Sequence, residues 1–382
     1  MPVAERLDAI TTLRFFAAAA IVVWHLSPAF CTGWCVRDFL QLPQGVSFFF
    51  VLSGFVLAHT YGRLDATGAV RGFWAARIAR IWPVHLLAFG LAAWLVPPLR
   101  PAEDVVAVTA ANLTLTQAWI PLPQYFLSYN DLSWTISVEA SFYLTFPLWI
   151  AAIGRTWHWK LGIALALAIA TLLVARALGI GVGTTDTLEA RGWGYSLPTV
   201  RVFEFVLGIA AYRCFGWVRR HWALQRGQST AVELGLVILC FFSLWQARFV
   251  FYSPAVVLWI TEPTAHWLAG SGSAVVFAAL IVVFALQRGA LSAALRRPVL
   301  VLLGEISFAV YMLHGILWQL LGPRWFRPHA LNGALAWLQF WAALLLLSYL
   351  VWRFYEMPMR RLLRRWLSPP AQSSRPPAIS HI

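Results

Sequence analysis

The sequence has little charge and few cysteines for its length. Only 12% of its 382 residues are charged, and Lys160 is the single lysine. Soluble globular domains carry about 25% charged residues. Together with 60% hydrophobic residues, this composition excludes a soluble enzyme and indicates a polytopic membrane protein. The four cysteines are too few for a disulfide framework. Cys31 and Cys35 lie in the first predicted outer loop, where a disulfide and two free thiols are both open alternatives.

The motifs of several soluble-enzyme classes are also absent. The sequence contains no GxSxG nucleophile elbow, no Walker phosphate loop, no GxGxxG dinucleotide fingerprint and no HExxH zinc motif. We predict no metal site.

Apolar runs of spanning length recur along most of the chain. An α-helix needs about 20 apolar residues to cross the hydrocarbon core of a bilayer. We therefore predict an all-α membrane bundle of about ten transmembrane helices, at residues 9–29, 44–61, 74–96, 132–152, 159–180, 197–215, 230–247, 267–286, 299–321 and 333–354.

The basic residues indicate the orientation of these helices. With the N-terminus inside, 20 of the 29 basic residues fall on the cytoplasmic side and eight on the opposite side. Cytoplasmic loops carry an excess of arginine and lysine, so we predict that both termini are cytoplasmic. The net charge of +14 is explained by these topology signals, and we predict membrane lipid rather than nucleic acid as a partner.

Three stretches do not fit the pattern of simple spans. Residues 97–130 are proline-rich, polar and aromatic, which favours an outer loop with an interfacial or re-entrant segment, and residues 248–265 read similarly. We divide the chain into a transmembrane domain, residues 1–360, and a basic, Pro/Ser-rich cytoplasmic tail, residues 361–382, which we predict to be disordered at its end.

Two ionisable residues lie inside the first apolar run. Arg14 and His25 are eleven positions apart, which is three helical turns plus about 20°, so they share one helix face. The rise between them is roughly 16 Å, about half of the hydrocarbon core. A charged side chain inside a bilayer is energetically costly, so it is rarely kept without a function. We therefore predict a functional role for both residues and expect them to face one internal passage.

A second pair of cations lies in the third span. Arg77 and Arg80 are three positions apart and share a face at its cytoplasmic end. They are either positive-inside anchors or a clamp for phosphates, which planar guanidiniums suit.

The fourth span carries a carboxylate near mid-depth. Glu139 must pair, take up a proton or line a cavity there, and Ser137 and Tyr143 lie near it. In the ninth span Tyr311 and His314 lie on adjoining positions of one helix face.

Two other polar motifs have a structural interpretation. We interpret Gly45, Ser53 and Gly54 as a helix-packing seam. Arg201 and Glu204 are one turn apart, which favours a structural ion pair at the outer surface.

These residues, in this order, resemble the acyltransferase-3 family of bacterial membrane O-acyltransferases, which modify surface polysaccharides, lipopolysaccharide O-antigens, Nod factors and some antibiotics. The resemblance covers about residues 7–361. It is carried by Arg14 with His25, GVSFFFVLSGFVL, Arg77 and Arg80 followed by Trp82-Pro83, SWTISVEASFY, LGEISFAVYMLH and YEMPMRRLL. Each motif alone is weak, and their combination is specific.

The resemblance implies an acyl-CoA donor, usually acetyl-CoA, on the cytoplasmic side, and a sugar hydroxyl of a polysaccharide or glycolipid as acceptor on the periplasmic side. It implies a multi-pass protein of the bacterial inner membrane, with functional roles for Arg14, His25, Arg77 and Arg80. Ala140 departs from the family pattern, in which an acidic or polar residue is common, and this disfavours a carboxylate pair. A C-terminal hydrolase-like domain is common in the family. Its absence after the last span here predicts action alone or with a separate periplasmic partner.

The mechanism predicted from this pattern has three parts. Arg14, Arg77 and Arg80 bind the CoA phosphates. His25 acts as general base or as a transient acyl carrier, with Glu139 orienting it or balancing its charge. His314 assists on the acceptor side, where Ser137, Tyr143 and Tyr311 are candidate substrate contacts. The alternative function is a transporter or flippase for a lipid-linked sugar or small solute.

Overall fold

The chain folds into α-helices that pack around apolar clusters, four of them among the described residues. The computed structural model describes residues 6–31, 35–62, 64, 68–95, 104–181, 187–250, 260–322, 325 and 333–367, and no strand occurs among them. The α-helices in this part of the chain are α1 Asp8–Phe30, α2 Val36–Phe39, α3 Gly45–Thr60, α4 Ala69–Leu95, α5 Val105–Leu113, α6 Pro123–Phe126, α7 Trp134–Ile150, α8 Ile153–Ala177, α9 Thr187–Arg191, α10 Pro198–His221, α11 Arg226–Val250, α12 Glu262–Ser271, α13 Ala274–Ala285, α14 Ala290–Leu295, α15 Pro298–Leu321, α16 Gly333–Val351 and α17 Met357–Leu367.

Every predicted span coincides with a helix or a helix pair. Eight helical stretches of the described chain are long and apolar enough to cross a membrane, and α12 with α13 makes up one of them. The other two predicted spans are α7, which has 17 residues, and α10, which carries several charges along its length. The prediction of an all-α polytopic bundle is therefore confirmed, whereas the cytoplasmic location of both termini stays a prediction.

The centre of the bundle depends on close contact between α3 and α10. A Cβ added to Gly54 would collide with the backbone carbonyl of Phe205, and one added to Gly208 would collide with that of Val51. Small residues let two membrane helices approach this closely. The predicted packing role of Gly54 is confirmed, and the contact fixes the α3 face that carries Ser53.

Helices α1 and α15 pack together beside this centre. Gly304 of α15 lies directly against the backbone of Thr11 in α1. Farther along the same pair of helices, Val22 and Leu26 share an apolar cluster with Val310. This packing brings the polar residues of α1 and α15 next to each other.

The segment before α7 folds back into the bundle. Asn112 and Gln117 are fully buried, and the Gln117 side-chain amide donates to the Ser133 carbonyl over 3.2 Å. This agrees with the predicted re-entrant segment, although the prolines that open the predicted loop, in residues 97–103, lie outside the described residues. Residues 251–259 of the second irregular stretch and residues 368–382 of the tail also lie outside them.

The structure decides two further expectations. Cys31 and Cys35 are joined in a disulfide at the end of α1. Arg201 and Glu204 form the predicted ion pair at 3.2 Å, but its predicted location at the outer surface was wrong. Both side chains are fully buried, and Ser271 of α12 bonds to each of them. The pair therefore joins α10 to α12 inside the bundle.

The chain beyond the last predicted span is helical. A π-helical turn, Trp352–Glu356, connects α16 to α17, and α17 packs against α4. The predicted start of the tail at residue 361 lies within α17.

Candidate active site

A cavity of about 150 Å³ opens between helices α1, α3, α4, α7 and α15. Its wall combines three guanidiniums and one carboxylate with an apolar and aromatic surface. The polar and aromatic residues that line it include Arg14, Phe49, Phe50, Ser53, Arg77, Arg80, Thr135, Glu139, Tyr143, Phe308 and Tyr311. Charged groups on three different helices therefore meet in one partly apolar chamber.

Glu139 is held by two hydroxyl groups rather than by an arginine. Ser53 donates to Glu139 Oε1 over 3.2 Å, and Tyr143, one turn farther along α7, donates to the same oxygen. Oε1 of the carboxylate accepts both bonds. The cavity thus contains one carboxylate that projects from α7.

Arg77 is positioned by aromatic rings. Its guanidinium lies 5.4 Å from the ring centre of Tyr61 and 5.8 Å from that of Tyr143, and it donates to the Tyr61 hydroxyl over 3.4 Å. Stacking on rings holds a guanidinium without neutralising its charge. Its positive charge therefore stays available to an anion in the cavity.

Arg80 has a carboxylate partner that the sequence did not reveal. Its guanidinium forms an ion pair with Glu356, which is fully buried at the end of the π-helical turn before α17. The Arg80 guanidinium also lies 5.5 Å from the ring centre of Phe308. The motif YEMPMRRLL, which contains Glu356, marked this part of the chain in the sequence. No spacing rule, however, relates Glu356 to a residue on α4. The pair ties α17 to the cavity.

Arg14 lines the cavity without such a partner. Among the described residues, no carboxylate lies within 4 Å of its guanidinium. The charged groups that act on it are Glu139, Glu305 and Arg77. The cavity wall itself carries three arginines and one carboxylate, Glu139, and so has an excess of positive charge. That excess suits an anionic ligand.

His25 and His314 form a bonded pair beside the cavity. Nδ1 of His25 lies 3.0 Å from Nε2 of His314, with the rings nearly parallel at 16°. Nδ1 of His314 lies 2.7 Å from the backbone carbonyl of Tyr311. His314 is fully buried, whereas His25 is exposed.

These contacts assign the protons of the neutral pair. A carbonyl only accepts, so Nδ1 of His314 carries the proton and its Nε2 has the lone pair. Nδ1 of His25 must then donate to that lone pair. This leaves Nε2 of His25 as a free basic nitrogen on the exposed ring.

Tyr311 links the histidine pair to the cavity. Its ring lines the cavity and lies 6.0 Å from the ring of His314, which is three residues farther along α15. Neither histidine belongs to the cavity wall. Arg14 thus lines the cavity whereas His25 does not, and the expectation that one internal passage connects them stays a prediction.

Ser137 is corrected from a candidate substrate contact to a structural residue. Its hydroxyl donates to the Leu115 carbonyl over 2.7 Å and accepts from the Ala118 N–H over 3.1 Å. Because Ser137 and Glu139 are two residues apart, they point to nearly opposite faces of α7. Ser137 thus holds the re-entrant segment, while Glu139 and Tyr143 face the cavity.

One charged residue that acts on His25 was not singled out from the sequence. Arg191, at the end of α9, acts electrostatically on His25 and on Asp131 in the loop before α7. Burial raises the pKa of Asp131, and the positive charge of Arg191 opposes that rise. Arg191 thus adds a positive charge to the surroundings of His25.

Comparison with known proteins identifies the family. The family model for the acyltransferase domain, acyltransferase 3, matches residues 7–353. The chain belongs to the acyltransferase-3 family. Acyltransferase MdmB of Streptomyces mycarofaciens is 30% identical over 82% of this chain and 79% of its own. Nodulation protein 10 of Rhizobium leguminosarum bv. viciae is 30% identical over 38% of this chain and 44% of its own.

A third relative, from Staphylococcus aureus (strain COL), has a name that gives O-acetyltransferase as a provisional activity. It is 28% identical over 36% of this chain and 23% of its own. No solved structure matches the chain. The acyltransferase-3 protein described here is a multi-pass membrane O-acyltransferase, and this replaces the alternative of a transporter or flippase. No cluster of three metal-ligating side chains occurs among the residues with described positions, and the absence of a metal stays a prediction.

Proposed function

We propose that the protein transfers an acetyl or related acyl group from cytoplasmic acyl-CoA to a hydroxyl of a sugar in a surface polysaccharide or glycolipid of the bacterial inner membrane. The proposal rests on the arrangement of charged and basic groups around Tyr311. A cavity with excess positive charge lies on one side of this residue, and a histidine with a free basic nitrogen lies next to its neighbour His314.

The donor occupies the cavity. Acyl-CoA joins a strongly anionic nucleotide to an uncharged pantetheine arm, and the cavity combines arginines with an apolar wall. Arg14 and Arg77 bind phosphate oxygens, for which guanidiniums provide paired donors. Arg80 keeps its bond to Glu356 and shapes the opening. The donor site lies on the predicted cytoplasmic side, where α1 begins and α4 carries both arginines.

The acyl transfer takes place at Nε2 of His25. This nitrogen removes the proton of the acceptor hydroxyl while the oxygen attacks the thioester carbonyl, so a C–O bond forms and the C–S bond breaks. The CoA thiolate leaves and takes the proton back from the imidazolium. The products are an acyl ester and CoA with a free thiol. His314 positions His25 by accepting from its Nδ1.

A covalent version of this reaction uses the same lone pair as nucleophile. Acyl transfer to Nε2 then precedes transfer to the acceptor. The two versions differ in one measurable result, because only the covalent route leaves label on the protein when acetyl-CoA is supplied without acceptor.

The proposal is tested with membranes from cells that lack or express the gene. With labelled acetyl-CoA, we expect label on a surface glycan or glycolipid only when the protein is present. His25→Ala should abolish this transfer, and His158→Ala, which changes an exposed histidine of α8, should leave it intact. Full transfer by His25→Ala would refute the role of His25. Label from acetyl-CoA on no hydroxylated molecule would refute the function.

A further inference from the structure

Helix α17 carries a row of arginines beside the cavity. Arg360 and Arg364 are four residues apart and so lie on one face, and Arg361 and Arg365 lie on the adjoining face. Arg360 follows Glu356 by one turn, and Glu356 is bonded to Arg80 in the cavity wall. The Arg80–Glu356 pair therefore directs the Arg360 face of α17 toward the cavity.

Positive charge predominates around Arg360. It is only partly exposed, and Arg14, Arg77 and Arg364 act on it electrostatically, whereas Glu356, one turn earlier, is paired with Arg80. Within the described chain, no carboxylate lies within 4 Å of Arg360 or Arg364. Guanidiniums that lie this close repel one another, and an external anion bound between them offsets the repulsion.

The other face of α17 has a different environment. Arg361 and Arg365 are exposed, and so are Leu362 and Trp366, with Trp366 at 77%. Exposed basic and apolar residues on one short helix are typical of contact with a membrane surface. Arg364 is exposed as well, and its four-residue spacing from Arg360 is what places these two on the helix face nearer the cavity.

The proposed donor has two separate anionic groups. The diphosphate lies next to the pantetheine arm, and the 3′-phosphate lies on the ribose, at the end of the molecule that remains outside a small cavity. Arg14 and Arg77 are inside the cavity wall, where the diphosphate and arm would lie. The 3′-phosphate would then meet the next cations outward, which are on α17.

We propose that Arg360 and Arg364 bind the 3′-phosphate of the acyl-CoA ribose and so select CoA thioesters over shorter thioesters. This inference rests on the proposed function, since it specifies the donor site. It assigns to α17 a substrate-binding role in addition to its contact with α4.

The test compares two donors, acetyl-CoA and 3′-dephospho-acetyl-CoA, on the purified full chain in nanodiscs. For the wild type, we expect a higher KM for the dephosphorylated donor. In the Arg360→Ala/Arg364→Ala variant, we expect the KM for acetyl-CoA to rise on the order of tenfold to a hundredfold, as for loss of a charge-assisted bond, with kcat unchanged. The KM for the dephosphorylated donor should not change.

The matched control is Arg361→Ala/Arg365→Ala, which removes the same charge from the other face and should keep the wild-type preference between donors. An equal rise in KM for both donors, or no rise, would overturn the inference. So would a loss that occurs in anionic nanodiscs and not in nanodiscs of neutral lipid, because lipid phosphate would then be the ligand. A wild type that uses neither donor would instead overturn the proposed function.

Discussion

Replacing the buried histidine of the pair should lower the rate of acyl transfer without weakening donor binding. His314→Phe keeps a ring of similar size but removes the Nε2 lone pair that accepts from His25 Nδ1. His25 can then rotate, and its free Nε2 is no longer held in one direction. The effect is expected in kcat, since neither histidine lines the donor cavity.

The expected size of the effect follows from burial. His314 is fully buried, so water cannot replace the lost acceptor in place. Leaving a buried donor without its partner costs about 1–3 kcal/mol, and about 1.4 kcal/mol corresponds to a factor of ten. We therefore expect kcat to fall about five- to 150-fold, which lies mostly below the 10²–10⁴-fold contribution typical of a general base.

The assay is the initial rate of CoA thiol release, with the KM for acetyl-CoA measured in parallel. His314→Gln is the matched control, because its amide oxygen can accept the Nδ1 proton of His25 at about the same position, and it should recover much of the rate. A His314→Phe variant with wild-type kcat would refute the positioning role. A Gln variant as slow as the Phe variant would show that packing, rather than the hydrogen bond, is what matters.

Three further predictions concern residues around the site. Glu356→Ala should lower the free energy of unfolding by about 3–5 kcal/mol, because Arg80 then loses the partner of a buried ion pair. Glu356→Gln should lower it by less. An SDS-unfolding titration that shows no loss of stability in Glu356→Ala would contradict this prediction. Ser137→Ala should lower the free energy of unfolding by about 1–3 kcal/mol and leave the KM for acetyl-CoA unchanged. Ser53→Ala removes a hydrogen bond to Glu139 in the cavity and should change the KM for acetyl-CoA. Burial raises the pKa of the Asp131 carboxyl group, so the folded chain binds the carboxyl proton more tightly than the unfolded chain does. The free energy of unfolding should therefore fall as the pH rises from the ordinary carboxyl pKa through the raised pKa of the folded state. Asp131→Asn should flatten this part of a plot of Tm against pH, and an unchanged slope would exclude Asp131 as its cause.

The helices could be predicted from the sequence because each depends on local composition. A run of apolar residues must form a helix in lipid, where every backbone polar group needs an internal partner. The re-entrant segment was predicted for the same reason, since residues 97–130 are too polar to span. Helix periodicity also placed Tyr311 and His314 on adjoining positions, and it could have separated Ser137 from Glu139 if it had been applied to α7.

The contacts between distant parts of the chain could not be predicted in this way. Nothing in the local pattern relates Arg80 to Glu356, or His25 to His314, because these pairs depend on how α4 meets α17 and how α1 meets α15. The shared face of Arg14 and His25 was a correct statement about α1 alone. Whether both side chains border the same cavity depends on how α15 packs against α1, because Tyr311 of α15 lies between the cavity and His314.

The arginines of the site can be divided by one physical criterion, the presence of an internal counter-charge. A cation in an apolar helix is costly, and a protein that needs it only for structure supplies a carboxylate, as Glu356 does for Arg80. Arg14 and Arg360 have no such carboxylate within 4 Å in the described chain, and Arg77 has aromatic rings instead. Charge left without an internal partner is retained for an external one. By this criterion we propose that Arg80 is the structural member of the predicted clamp and that Arg360 takes its place among the cations that bind substrate.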